Sequence, residues 1–377
     1  MMQSFNPPNR TLMGPGPSDV PQRVLQAMAR PTIGHLDPAF GGMMEQLKTM
    51  LRDGFITENK LTFPVSAPGS AGMETCFANL VEPGDEVIVC INGVFGGRMK
   101  ENVERMGGTA IVVENTWGTP VDPALVEAAF ASHPKANLLA FVHAETSTGV
   151  RSDAKTLCEI AHNHDALALV DAVTSLGGIE LRVDAWGIDA IYSGSQKCLS
   201  CPPGLSPVSF SDAAATRIAA RKTKVRSWFL DLSLVMAYWQ GDGARTYHHT
   251  APVNAMYGLH ESLLMLHEEG LETAWARHAD MHQLLKSGLE ELGLRFWVEE
   301  PYRLPQLNAV AFPDSVKDEA SIRRELLELH NLEIGAGLGA LAGKVWRIGL
   351  MGASACPDNV DLCLAALRDV MARHQAI

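Results

Sequence analysis

Long runs of like charge are missing from this sequence. Its 31 lysines and arginines are scattered, 43 acidic residues outnumber them, and the formal net charge is −12. Without a basic patch or tail, nucleic acid is not a natural partner. Small anions stay open, because a local field can oppose the global charge. Long apolar runs are missing too. Nothing approaches the roughly 20 residues of a membrane span. Residues 1–8 carry no apolar signal region, and the chain's last residues, His374 to Ile377, form no peroxisomal tripeptide. The expectation is a soluble, cytoplasmic protein with no membrane contact.

Cysteine is sparse and odd in number, seven in 377 residues, which does not make a disulfide framework. Cys198 and Cys201 form a C-x-x-C, but no second Cys or His pair stands at zinc-like spacing. A structural pair is preferred over a redox or metal motif. His248-His249 is a poor metal pair, since sequence neighbours seldom point at one ion. No metal is expected. A Walker loop and G-x-G-x-x-G are both absent, which weakens ATP and dinucleotide readings. Aromatic residues make up only 6%, whereas glycine (33) and proline (21) are plentiful, which suits a loop-rich α/β enzyme. The length, with 46% hydrophobic content, allows a sizeable core and points to two domains.

What is present is a rhythm. Strand-like runs at 59–65, 86–91, 109–114, 138–143 and 166–171 alternate with helical patterns at 73–80, 96–106, 123–132 and 154–162. Near-continuous apolar strands in such alternation predict a mostly parallel sheet with helices on both faces. Ligands in such sheets sit beyond the strands' carboxyl ends. From Ala255 a long amphipathic pattern runs to about Leu292, and shorter strands and helices follow. This predicts a large domain over residues 1–254, including an N-terminal arm, and a linking helix with a smaller α+β domain over 255–377.

Residues with chemistry fall at those strand ends. The stretch 189–197, Asp-Ala-Ile-Tyr-Ser-Gly-Ser-Gln-Lys, is a short apolar strand running into a small polar turn that presents Lys197. Backbone folds tightly at Ser-Gly-Ser, which places Lys197 as a reactive amine; the plain alternative is a solvated lysine. Asp171 closes the apolar run 167–170. A carboxylate there is costly without a cationic or donor partner. A protonated ring nitrogen would be one; an N-cap or a structural ion pair is the other reading. Phe95 offers a face to a flat ring, or is simply core. Thr146 and Ser147, after Glu145, suit a ring hydroxyl or a turn. Gly69 and Ser70, between a strand and a helix, suit a phosphate on free helix amides, or an ordinary βα turn. Gly14 and Gly16, in the Gly-Pro-Gly-Pro of residues 14–17, allow close backbone approach to a ligand, or belong to a plain arm. Tyr247 and Thr250 read as hydroxyl donors to an anion. Arg347, inside the strand-like Val345-Trp346-Arg347-Ile348, should face a carboxylate, a ligand's or an internal one.

Gly-Pro-Gly-Pro-Ser, Asp171, Ser-Gly-Ser-Gln-Lys197, Tyr-His-His-Thr and Val-Trp-Arg347-Ile-Gly, in this order, resemble the pattern of fold-type I, class V pyridoxal-phosphate aminotransferases. Alanine–glyoxylate and serine–pyruvate aminotransferases are the most similar kind, from about Leu12 to Arg373. The resemblance implies pyridoxal phosphate as cofactor, and transfer of an amino group from alanine or serine to a small 2-oxo acid, glyoxylate first. It implies Lys197 as the lysine that binds the cofactor aldehyde and shuttles the proton, and Asp171 as the acid on the pyridine nitrogen. Gln196, Tyr247 and Thr250 would contact the phosphate, the last two from the partner subunit of a homodimer with shared sites. Gly69 and Ser70 fall in the phosphate loop and Thr146 near the ring hydroxyl. Arg347 would hold the substrate α-carboxylate, with Gly16 as a second substrate-binding position. The stacking position, often Trp in the family, is Phe95, and Ala67-Pro68-Gly69 departs from the more usual Ser-Gly-rich loop. Ureidoglycine–glyoxylate and aminoethylphosphonate transamination are the alternatives on this fold. The former would need the segments around His35 and Asn254 to recognise a ureido group. A pyridoxal-phosphate lyase would need a His before the lysine and a mobile nucleophilic Cys; Gln196 takes the first place.

Overall fold

A computed structural model describes residues 2–239 and 245–375. β1 (Thr11–Leu12), α1 (Gln22–Met28) and α2 (Pro38–Phe55) precede the first strand of the main sheet, β2 (Leu61–Val65). Asp37 starts α2 by accepting from the Ala39 amide at 2.8 Å, and Pro38 takes the first turn, where its missing N–H is not needed. The alternation then runs through α3 (Gly69–Leu80), β3 (Glu86–Ile91), α4 (Val94–Met106), β4 (Thr109–Glu114), α5 (Pro123–Ser132) and β5 (Leu138–Val142). A small ladder, β6 (Ala144–Glu145) and β7 (Val150–Arg151), leads to α6 (Ala154–Asn163), β8 (Leu167–Asp171), β9 (Ala190–Tyr192) and β10 (Ser206–Phe210).

Seven of these strands form one sheet in the order β2-β10-β9-β8-β5-β3-β4. β9, β8, β5, β3 and β4 run parallel, as the apolar runs implied. Every residue of β5 and all but the first of β8 are buried, so both faces are covered. β10 runs antiparallel to both neighbours. The sequence pattern assigned no element here, and the strand carries Pro207. Pro207 is accommodated because it faces Pro64 of β2, where neither residue need donate. On the other side its carbonyl accepts from the Ser193 amide at 2.8 Å. The Ser193 carbonyl takes the Ser206 hydroxyl at 2.6 Å in place of the missing N–H.

α7 (Asp212–Ala219) and α8 (Leu232–Trp239) follow. The single amphipathic stretch expected from Ala255 is two helices, α9 (Val253–Glu269) and α10 (Leu271–Glu291). They break at Gly270, whose φ of +84° is a conformation glycine takes readily and other residues do not. The remainder is β11 (Arg295–Phe296), β12 (Leu307–Ala311), α11 (Glu319–His330), β13 (Leu332–Glu333), β14 (Gly335–Ala336), β15 (Val345–Gly349) and α12 (Pro357–Arg373). Here an antiparallel sheet, β11-β12-β15-β14, carries the helices.

Two cores result. The first is built on the large sheet and takes in Met256, Leu259 and Leu263 of α9. The second gathers around Trp346, Ile348 and Leu367, and is joined by Leu285 and Leu289 of α10. We propose residue 254 as the seam between two domains, with two crossings. α9 returns to the first core, and the N-terminal segment lies against the second, where β1 pairs parallel with β13 and Met13 is fully buried. Among the described residues, no helix is long and apolar enough to cross a membrane.

Candidate active site

Seven of the expected residues, Gly69, Ser70, Phe95, Thr146, Asp171, Gln196 and Lys197, line one cavity of about 210 Å³. Gly69 and Ser70 open α3 after β2, and Phe95 sits in the first turn of α4 after β3. Thr146 follows β5, Asp171 ends β8, and Gln196 and Lys197 follow β9. Each lies at or just beyond the carboxyl end of its strand, where parallel sheets gather their ligands.

Serines staple the lysine loop. The Ser193 hydroxyl donates to the Ala172 carbonyl at 3.0 Å and that of Ser195 to the Pro202 carbonyl at 2.7 Å. Ser18 reaches over from the N-terminal segment: its amide donates to the Gln196 carbonyl at 3.0 Å and its hydroxyl to the Lys197 carbonyl at 2.7 Å. Lys197 points inward, and its Nζ donates to the Pro15 carbonyl. Gly16 provides the clearance. Its φ is +98°, and a Cβ there would stand 2.6 Å from Lys197 Cδ and 2.7 Å from Nζ. Burial, helped by the charge of Arg347, lowers the Lys197 pKa to about 8, so part of the amine is neutral near pH 7.

Asp171 and Tyr192 are register partners on adjacent parallel strands. Tyr192 Oη donates to the Asp171 carboxylate at 2.7 Å, and the Val173 amide donates to it at 2.8 Å. Burial nonetheless pushes this carboxyl up to about 6, against those hydrogen bonds. Sequence reasoning passed over Tyr192; the available signal was a tyrosine closing the strand before the lysine turn. It also passed over Arg98, which lines the cavity and holds its guanidinium 4.8 Å from the Phe95 ring centroid. The i, i+3 spacing of these two in a helical pattern was legible.

Arg347 is buried at 7% exposure. Its Nε donates to the Ala336 carbonyl at 2.7 Å and its Nη1 to the Thr146 carbonyl at 3.3 Å. Its hydrogen-bond partners are therefore carbonyls, and the internal acid weighed in the sequence is not among them. Burial lowers its pKa to about 10. Tyr247 and Thr250 are not brought to the cavity of their own chain. Tyr247 is 63% exposed, and its hydroxyl stands 3.5 Å from that of Thr250. His248 and His249 share an Nδ1–Nδ1 contact of 2.8 Å. Among the described residues, no group of three or more His, Cys, Asp or Glu is placed to hold a metal ion. Cys198 and Cys201 are buried free thiols, both pushed up to about 12 by burial.

A model of the family described as aminotransferase class-V matches residues 11–341. This chain belongs to the class-V aminotransferases. It is 42% identical to the alanine–glyoxylate aminotransferase of Oryctolagus cuniculus, over 97% of this chain and 93% of that one. It is 39% identical to the (S)-ureidoglycine–glyoxylate transaminase of Bacillus subtilis, over 98% and 92%. The crystal structure of an alanine–glyoxylate aminotransferase from Nostoc sp. matches with a TM-score of 0.96 and 44% identity, over 98% of this chain and 97% of that one. The cofactor of this aminotransferase is pyridoxal phosphate.

The residues present suit that group. α3 begins behind Pro68 with no side-chain cap, so the Gly69 and Ser70 amides at its start can serve a phosphate. Gln196 Oε1 is buried without a hydrogen-bond partner, an orphan that a bound group relieves. A buried carboxyl at Asp171 suits a cationic ring nitrogen, and a partly neutral amine at Lys197 suits an aldehyde.

The raised Asp171 pKa has a sign that can be checked in the cofactor-free protein. A carboxyl that ionises at about 6 rather than at 3.8 favours the folded state below pH 4, and that contribution is lost as pH rises through 6. Asp171→Asn removes the titration. Denaturant unfolding at pH 4.5 and pH 7 should show the parent losing stability relative to this variant as pH rises, by on the order of 2 kcal/mol. A difference that is flat or opposite in sign would contradict the assignment.

Proposed function

We propose that this enzyme moves the amino group of alanine or serine to glyoxylate, in a site shared between two subunits. The observation that carries the first part is the pairing of a buried amine with a buried guanidinium. Arg347 lies close enough to lower the Lys197 pKa, and carbonyls on two sides preset its plane. Such a fork suits the α-carboxylate of a small amino or oxo acid. Glyoxylate is the word common to the names of the rabbit, Bacillus and Nostoc relatives.

Pyridoxal phosphate, when bound, supplies an aldehyde for the amino group and a ring that draws charge away from Cα. Lys197 would hold that aldehyde, Asp171 the ring nitrogen in protonated form, Thr146 the ring hydroxyl, and Phe95 one face of the ring. Gly69, Ser70 and Gln196 would hold the phosphate. Arg347 grips the donor carboxylate, with Gly16 leaving room beside Lys197, and this turns the Cα–H bond toward Nζ. With a pKa near 8, Lys197 Nζ is a competent base for the Cα proton and can return it two atoms along, on the far side of the amino nitrogen.

Ureidoglycine as donor is the second reading, on the strength of the Bacillus relative. In this chain both Asn254 N–H groups are spent on the Met28 and Arg30 carbonyls at 2.8 and 2.9 Å, and its oxygen accepts from Thr32 at 2.5 Å. That leaves little of Asn254 for a ureido group and favours the smaller donors. Lyase chemistry is not favoured by Cys198, which stands beside the lysine but is buried with a raised pKa.

The shared site is inferred from an exposed apolar face. Leu36 (50% exposed), Trp228 (63%) and Tyr247 (63%) lie open in the single chain, with Trp228 stacked on His248 at 4.4 Å. A second copy covering this face would bring the hydroxyls of Tyr247 and Thr250 to the neighbouring phosphate. A cytoplasmic setting fits the seven cysteines, all of them free thiols.

Three measurements test these statements. Mixed singly with the purified holoenzyme, alanine or serine should bleach the cofactor's visible band, and glyoxylate should restore it; Lys197→Ala should abolish this cycle. Faster bleaching by a ureido donor would favour the second reading. Arg347→Ala should weaken amino and oxo acids alike, by about 10- to 100-fold in kcat/KM, with cofactor affinity unchanged; loss of cofactor instead would reassign the arginine. Co-expressing Lys197→Ala chains with Tyr247→Phe/Thr250→Val chains should restore activity that neither has alone, because one site of the mixed dimer is then intact. No recovery would mean each site is built from one chain.

A further inference from the structure

Glu145 is fully buried, and transamination as described leaves it without a task. Its surroundings show what it does. α4 opens behind Gly93, which has no side chain to cap the helix, so the first amides of α4 need acceptors from elsewhere. They find them on the turn after β5. The Val94 amide donates to Ser147 Oγ at 2.9 Å, and the Phe95 amide donates to Glu145 Oε2 at 3.2 Å. The other carboxylate oxygen, Oε1, accepts from the Ser147 amide at 2.9 Å and the Ser147 hydroxyl at 2.6 Å. An acid and a serine from one strand end thus form the N-cap of a helix some fifty residues earlier in the chain, with the negative charge at the favourable pole of the helix.

Gly93 makes the arrangement possible. A Cβ there would overlap the Glu145 carboxyl and come within 2.5 Å of Ser147 Oγ. The acid is kept in spite of its surroundings: burial and the charge of Asp171 push its carboxyl up to about 7, opposed by the Ser147 and Phe95 hydrogen bonds. The residue between the two caps, Thr146, lines the cavity and accepts from Arg347 through its carbonyl. A single three-residue turn therefore touches the ring platform, the cavity wall and the carboxylate-binding arginine.

We propose that Glu145 is a positioning residue for the cofactor: together with Ser147 it anchors the first turn of α4 and so sets the orientation of the Phe95 ring on which the pyridine ring packs. The proposal rests on Phe95 being that platform. Glu145→Gln is the sharpest variant. It keeps the size and the oxygen facing Ser147, but turns an N–H toward the Phe95 N–H.

The test is a double-mutant cycle read by cofactor binding. Cofactor-free parent, Glu145→Gln, Phe95→Ala and the double variant are titrated with pyridoxal phosphate, and the visible circular dichroism of the bound cofactor is recorded. Glu145→Gln should raise the cofactor Kd about tenfold, the equivalent of one hydrogen bond to an ionised acceptor, and change the circular dichroism band, with the thermal midpoint of the cofactor-free protein near the parent's. In the Phe95→Ala background the same change should add little, because the two act as one unit. Additive effects, or a lowered midpoint with unchanged Kd and dichroism, would overturn the positioning role while leaving Phe95 as platform. Phe95→Ala with an unchanged Kd would remove the platform, and this proposal with it. Should Glu145→Gln fail to fold, Ser147→Ala takes its place; it should raise Kd in the same direction and be coupled to Phe95 in the same way, and additivity there counts against the proposal.

Discussion

Ionisable groups crowded together in the buried interior are the constraint around which this molecule is built. Lys197, Asp171, Glu145 and Arg347 lie within one another's fields, and burial moves each toward its neutral form. Left alone, such a cluster would be a defect. Here each member is fixed by a small number of hydrogen bonds that also aim it. Asp171 is held by a tyrosine and an amide, Arg347 by two carbonyls, and Glu145 by a serine and a helix terminus. The same desolvation that disfavours the charges brings the lysine into the range where an amine can give and take a proton near neutral pH. Stability and reactivity therefore draw on one cause.

Holding these groups falls to parts of the chain that are far apart in sequence. The lysine loop is pinned from below by Ala172 and Pro202 and from above by Ser18. That N-terminal segment is itself tied to the second core, through β1 on β13 and through the Gly349 amide on the Met13 carbonyl at 2.7 Å. Arg347 comes from the second sheet and reaches the turn after β5 in the first. The cavity belongs to the large sheet, Arg347 to the small one, and the N-terminal segment joins them at the lysine. The overall fold is shared with solved structures named for alanine–glyoxylate and for ureidoglycine–glyoxylate transfer.

Much of this was legible before any coordinates. The alternation of apolar strands with amphipathic helices placed β3, β4 and α5 at their observed limits, because period and turn chemistry are local properties. Lys197, Asp171, Phe95 and the Gly69–Ser70 turn were found because each ends or follows an apolar run, and the topology of a parallel sheet gathers such ends on one edge. Two features were not read from the pattern. β10 carries a proline that fits because it faces another proline. The break between α9 and α10 depends on a single positive φ at Gly270.

The sequence by itself determined the sheet, the strand ends and the residue types that wait there, since these follow from patterning over a few neighbours. Only the tertiary structure decided which of them act together. Tyr192 meets Asp171 through strand register, Glu145 and Ser147 cap a helix across fifty positions, and Arg347 closes on Thr146 across two hundred. Desolvation and long-range hydrogen bonding are properties of a packed interior. They have no counterpart in any short stretch of chain, which is why the chemistry of the site could be suspected from its residues but acquired its electrostatics only on folding.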